Sequence, residues 1–209
     1  MQKKTIKWVM ICVGAGLLFY GMFIVAFSTN LFAGVPEATY TKKDLIDNFN
    51  ARKGQIYALK NYFKSIVPQN REVEIEFSGN SRLFRFGVSR IDSVTGDVIY
   101  PIFLEWDLKT TSSQVDSVIT SMGWTQQTLQ ALKTKLDSAH CISIRSGEPC
   151  QIGFQRSGMG MYFYQLFSEP IPDKEKERYN NGCTYILYSP VLVLEYGGGA
   201  IGPQCFPKD

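Results

Sequence analysis

The chain has 209 residues with 22 basic and 19 acidic side chains, a formal charge of +3. Three of the basic residues, Lys3, Lys4 and Lys7, come before a long uncharged stretch, and every acidic residue lies at or after Glu37, so the remainder is balanced at 19 against 19. A neutral remainder lacks the basic surplus on which nucleic-acid binding draws, and no nucleic-acid partner is expected.

The first element is the run from Trp8 to Phe27, apolar apart from small residues, one Cys and one Tyr, inside a segment without charge from Trp8 to Pro36. At about 1.5 Å rise per residue a helix of that length spans about 30 Å, the thickness of a hydrocarbon core, whereas a cleavable signal usually carries an apolar region of about 7 to 15 residues. Residues 8–27 therefore read as one N-terminal transmembrane signal-anchor, with 1–7 as a cytoplasmic basic segment. The next positive charges, Lys42 and Lys43, are far from its other end, so the charge bias holds the N-terminus in the cytoplasm and sends the C-terminal domain to the periplasmic or extracellular side. Ala26-Phe27-Ser28 has the small-x-small form that a signal peptidase reads, which makes secretion after cleavage the alternative. Residues 28–40 mix small, polar and turn-forming types and suit a short tether, leaving 41–209 as a single exported domain.

Thr41 followed by Asp44 has the form of a capping box. Leu45, Ile46, Phe49, Ile56, Leu59, Phe63 and Ile66 then recur at helical spacing up to Pro68, which predicts a long amphipathic helix, frayed or kinked at Gly54. The period next changes to alternation. Val73, Ile75 and Phe77 alternate with Glu72, Glu74 and Glu76, and beyond the turn Ser78 to Ser81 the residues Phe84, Phe86 and Val88 alternate with Arg85, Gly87 and Ser89. This predicts a hairpin with one buried face and an outward ladder of opposite charges. A third strand is expected from Asp97 to Trp106, restricted to an edge or bulge by Pro101. Glu105 and Asp107 lie two apart and would share one face of it; paired carboxylates can serve acid and base chemistry, but without a second catalytic element they read as a polar edge.

Ser113 with Asp116 forms a second capping box, and Thr125 caps a further helix with Leu129, Leu132 and Leu136 on one side, so a helical pair is expected over the sheet. Strand signals return from Cys141 through Phe167 and again around Ser189-Pro190, separated by an exposed excursion rich in Pro, Asp, Lys and Glu. The expected fold class is α+β, a curved and mainly antiparallel sheet with helices on one face.

Cys141, Cys150, Cys183 and Cys205 form an even set in the exported part, and two disulfides are expected. Four cysteines allow three pairings. Cys141 with Cys150 and Cys183 with Cys205 are preferred because each pair flanks a turn-rich segment. Metal-ligand spacings such as C-x₂-C are absent and His140 is the only histidine, so no metal is expected. Gly197 to Gly202 resembles a phosphate-cradling loop only in its glycines. It is followed by Pro203 where such a loop needs Lys and Ser or Thr, so neither a nucleotide nor another cofactor is expected. Met159, Met161, Tyr162 and Tyr164 form an aromatic and methionine cluster suited to recognition, although alternation in a strand would bury half of it. With no nucleophile elbow or catalytic cluster, the functional expectation is a membrane-tethered envelope domain that acts as a binding or accessory module for a protein or an envelope polymer. The alternative is a hydrolase-type ectodomain with its site in a sheet cleft.

Overall fold

The computed structural model describes residues 40–92, 94–157, 160–198 and 202–207. The chain divides into two units, 1–38 and 39–209. The apolar run 8–27, the tether up to residue 39 and Met159 lie outside the described residues. No described helix is long and apolar enough to cross a membrane.

The domain is α+β. Helix α1 (Lys42–Ile66) opens with the capping box expected from sequence: the Asp44 amide donates to Thr41 Oγ1 and the Thr41 amide donates to the Asp44 carboxylate. Its one break from helical geometry is at Arg52 (φ −127°) rather than at Gly54. Next come β1 (Arg71–Phe77), β2 (Arg82–Ile91) and β3 (Val98–Lys109), then α2 (Ser113–Ser121) and α3 (Gln126–Ser138). The remaining strands are β4 (Ser143–Arg145), β5 (Cys150–Ser157), β6 (Gly160–Leu166), β7 (Tyr185–Ser189) and β8 (Leu192–Gly197), with a short helix α4 (Asp173–Lys176) and a 3-10 turn (Arg178–Asn180) between β6 and β7.

The strands form one open sheet in the order β3-β2-β1-β4-β5-β6-β8-β7, with antiparallel ladders. A meander, β1 to β3, and a second set, β4 to β8, in which β8 lies between β6 and the edge strand β7, are thus joined where β1 meets the three-residue β4. The main core lies between one sheet face and α1 to α3. Val73, Ile75, Phe86, Ile144, Ile152, Tyr162, Tyr164 and Leu194 meet Leu45, Phe49, Leu59, Phe63, Val115, Leu132 and Leu136 there. At about 25 cal/mol per Å², burying side chains of this size is the dominant stabilising term. A polar tie fixes α1 over β6. Tyr164 donates to the Leu45 carbonyl at 2.7 Å, and the Asn48 amide donates to Tyr164 Oη and to the Ala139 carbonyl.

Helices are not confined to one face. Alternation turns Val193 to the opposite side from Leu192 and Leu194, and there Ile171 and Tyr179, from the excursion carrying α4 and the 3-10 turn, close a second small cluster over it. That excursion is therefore a cover, which its polar composition conceals.

The cysteine pairing differs from expectation at one bridge. Cys183 and Cys205 are joined, tying the start of β7 to the C-terminal tail. The Phe206 amide donates to the Cys183 carbonyl beside the bridge. Gly197 lets the tail return: at φ +152°, a Cβ there would lie 3.0 Å from both the Gly202 oxygen and Pro203 Cα. Cys141 and Cys150, in contrast, are free and buried. The β4–β5 register explains this. Ser143 faces Gly153 and Arg145 faces Gln151, so Cys150 sits at the turn while Cys141 is at the far end of the hairpin. Carried along this register, five residues separate Cys141 from the position opposite Cys150, about 17 Å at extended-chain rise, beyond the reach of about 7 Å that a disulfide allows.

Candidate functional site

The distal side of the sheet, away from α1 to α3, can be read across the strands from the register. One row runs Trp106, Arg85, Glu76 and Ser143, then continues through Gly153, Phe163 and Glu195. The next row carries Leu104, Gly87, Glu74, Arg145, Gln151 and Gln165. Each glutamate of β1 meets an arginine of another strand: Glu72 with Arg145 at 2.7 Å, Glu74 with Arg85 at 2.9 Å and Glu76 with Arg156 at 2.7 Å.

The expected charge ladder is present but is less uniform than alternation implies. Glu76 is 5% exposed, and its pKa is raised, chiefly by burial, against the lowering effect of the Arg156 hydrogen bond and charge. Glu195, on the same side, accepts from Gln151 and Gln165 at 2.8 and 2.5 Å. Each of these carboxylates is held by at least one donor from another strand, which makes the array a brace rather than an acid and base pair awaiting substrate.

Toward β3 the surface becomes apolar. As Pro101 predicts, β3 is the sheet edge. It exposes Val98, Ile99, Ile102, Leu104 and Trp106, with Ile102 at 55% and Trp106 at 49%. A bulge in β2 adds Phe84 to this strip. The β1–β2 register slips between Glu76 and Phe77, so Leu83 and Phe86 both reach the core and Phe84, expected to be buried, turns outward. Phe84 packs edge-on against Trp106 with centroids 5.6 Å apart. Two guanidiniums frame the aromatics: Arg85 lies 4.8 Å from the Trp106 ring centroid and Arg156 lies 4.2 Å from that of Phe84. Such contacts hold the rings in fixed orientations at about 0.5 to 1 kcal/mol each where exposed.

The strip is interrupted by Asp107, whose left-handed φ of +53° lets two successive residues, Trp106 and Asp107, both face solvent. Asp107 pairs with Arg82 at 2.6 Å. Glu105 and Asp107 therefore do not sit as a pair on one alternating face, because the backbone reverses between them.

The residues singled out for recognition fall elsewhere. Tyr162 and Tyr164 are fully buried and Met161 is 4% exposed. Tyr162 stacks on Tyr196 and Phe206, and Tyr164 is spent on the α1 tie. Tyr162 and Tyr164 face the main core, while Met161 points to the distal side, where its sulfur accepts from Ser143 Oγ at 3.4 Å. None of the three presents a surface to a partner.

His140 follows the Ala139 cap of α3 in left-handed geometry (φ +54°), with its ring 5.7 Å from Phe154, a stop signal for the helix. Burial pushes the thiols of Cys141 and Cys150 up, the latter to about 12, which leaves both poor nucleophiles near neutral pH. Among the described residues no group of three or more His, Cys, Asp or Glu side chains is placed to hold a metal ion.

No family model, curated protein or solved structure matches the chain. The functional reading therefore rests on the surface itself. The signal for that surface was present in sequence, since Ile102, Leu104 and Trp106 belong to a strand that Pro101 assigns to an edge. Alternation alone did not reveal that the bulge would add Phe84.

Proposed function

We propose that the chain is a membrane-tethered envelope protein, held by residues 8–27, whose domain 41–209 is a binding module that takes an extended segment of another protein along β3. The observation that carries this reading is the exposed apolar strip on an edge strand. An edge offers backbone donors and acceptors to an added strand, and alternate side chains of that strand would cover Leu104, Trp106 and Phe84. Contiguous apolar exposure of this kind is costly for a monomer and marks interaction surfaces.

An envelope glycan is the less favoured occupant. Sugars stack on open aromatic faces, whereas Trp106 already has a guanidinium over its ring and Phe84 against it. Pro101 and the reversal at Asp107 blunt the edge against indiscriminate pairing, which suits a selective partner.

The test is photo-crosslinking in intact cells from a reactive side chain placed at Ile102, with a second at Gln130 on the exposed side of α3 as control. A discrete adduct at Ile102 that is absent at Gln130, is lost with Trp106→Asp, and is degraded by protease supports the reading. An adduct degraded by glycan hydrolases but not by protease assigns the surface to an envelope polymer, and equal labelling from both positions overturns the site. Protease added to spheroplasts checks the tether: cleavage after residue 40 with the N-terminus protected is the expected result, and protection of residues 41–209 overturns export.

A further inference from the structure

A second feature lies away from β3, where the end of α1 meets the start of β1 and the β4–β5 turn. It is a cavity of about 380 Å³, within the range of small-molecule sites. Its apolar wall is Phe63, Val67, Pro68 and Ile91, and its cationic groups are Lys60 and Lys64 from successive turns of α1 and Arg71 from β1.

The cations of this cavity differ from the four arginines that brace the strands. Arg82, Arg85, Arg145 and Arg156 each have a carboxylate within ion-pair distance. Among the described residues, Lys60, Lys64 and Arg71 form no such pair. Lys60 is 8% exposed and its ammonium donates only to neutral oxygens, the Leu166 carbonyl at 3.0 Å and Ser168 Oγ at 3.4 Å. The one carboxylate lining the cavity, Glu148, is engaged through both oxygens by the Ser168 amide and hydroxyl, at 2.7 and 2.6 Å. Arg71 also stands directly opposite Arg90 on β2, a like-charge pairing that weakens a sheet unless an anion intervenes. Three cations thus surround a space that holds one occupied carboxylate. A buried ammonium is costly without a compensating charge.

We infer that this cavity binds a small amphipathic carboxylate, with its anionic end held by Lys60, Lys64 and Arg71 and its apolar body against Phe63, Val67, Pro68 and Ile91. A guanidinium supplies the planar fork that a carboxylate matches, and the two lysines supply point charges. Inorganic phosphate has the charge but gains nothing from the apolar wall, so the same site discriminates against it.

Equilibrium dialysis of the full-length chain in lipid nanodiscs, with empty nanodiscs as blank, tests the inference. The probes are N-acetyl-leucine, its neutral amide N-acetyl-leucinamide, and inorganic phosphate. Saturable binding of N-acetyl-leucine is expected, at least tenfold weaker for the amide and at least tenfold weaker in Lys64→Gln/Arg71→Gln. Lys64 is exposed and Arg71 half-buried, so the fold is expected to tolerate the change. Lys109→Gln, on β3, leaves binding unchanged. Absence of saturable binding, equal binding of acid and amide, or indifference to Lys64→Gln/Arg71→Gln each overturns the inference. Displacement of N-acetyl-leucine by an equal concentration of phosphate overturns the requirement for an apolar body.

Discussion

The guanidinium of Arg156 meets the carboxylate of Glu76 through two parallel hydrogen bonds, Nε to Oε1 at 2.7 Å and Nη2 to Oε2 at 2.8 Å, reaching from β5 over β4 to β1. Glu72 and Arg145 span the same junction between β1 and β4. The junction has only three register pairs of backbone, so these side chains brace the place where the two halves of the sheet join.

Removing the Arg156 end should be the costlier break. Arg156→Met leaves a nearly buried carboxylate without its partner, and a loss of roughly 3 kcal/mol in urea unfolding is expected, discounted from the upper end because the guanidinium is partly solvated. Arg145→Met, at a more exposed pair, should cost below about 1 kcal/mol. Equal losses for the two variants would show that the Glu76 pair is not a special brace.

The same carboxylate has a pH signature opposite in sign to ordinary acid denaturation. Burial raises the Glu76 pKa above its ordinary 4.5, so the folded state holds that proton more tightly than the unfolded chain. Its contribution to stability is fully present below about 4.5 and is lost as pH rises through the raised folded value. Asp44 behaves in the opposite way, because the hydrogen bonds from Thr41 lower its pKa below 3.8 and its contribution is lost on acidification. The stability of the native protein minus that of Glu76→Gln should therefore fall as pH is raised from about 4.5 and then level off. A difference that rises over that range would contradict the assignment.

Peptide mapping should find one bridge in the domain. Native protein treated with iodoacetamide should yield a linked Cys183–Cys205 peptide, with Cys141 and Cys150 alkylated only after unfolding, because both thiols are buried and their ionisation is suppressed. Cys183→Ser/Cys205→Ser opens a closure of 22 residues and should cost about 3 kcal/mol. A linked Cys141–Cys150 peptide would require the β4–β5 register to be wrong.

What could be read in the sequence follows from how local each signal is. The capping box at Thr41, the alternation in β1 and the edge position of Pro101 are written within a few residues, and the structure carries each of them. Phe84, Glu76 and the cysteines were misplaced for a shared reason. Phe84 turns out because the β1–β2 register slips, Glu76 is buried because Arg156 arrives from 80 positions later, and Cys141 is parted from Cys150 by hairpin register. Tyr164 likewise looked available in a strand of aromatics, and only the arrival of α1 gives its hydroxyl an acceptor. Alternation specifies which residues share a face. It does not specify what covers that face.

The tie between Tyr164 and α1 bears on the order in which the domain can assemble. The hydrogen bonds of this tie join residues 91 to 119 positions apart, and Lys60 reaches Leu166 across 106, whereas the bond from Trp124 Nε1 to the Ile66 carbonyl spans only 58. The earliest described element thus packs on α3 and on β5 and β6, while the meander that follows it directly in the chain has its edge strand packed by α2. Closing loops of that length before any reward is slow. During synthesis or translocation, α1 can therefore dock in part once α3 has emerged, but its tie to Tyr164 closes, and the side of its apolar stripe that meets β5 and β6 is covered, only when β6 has followed.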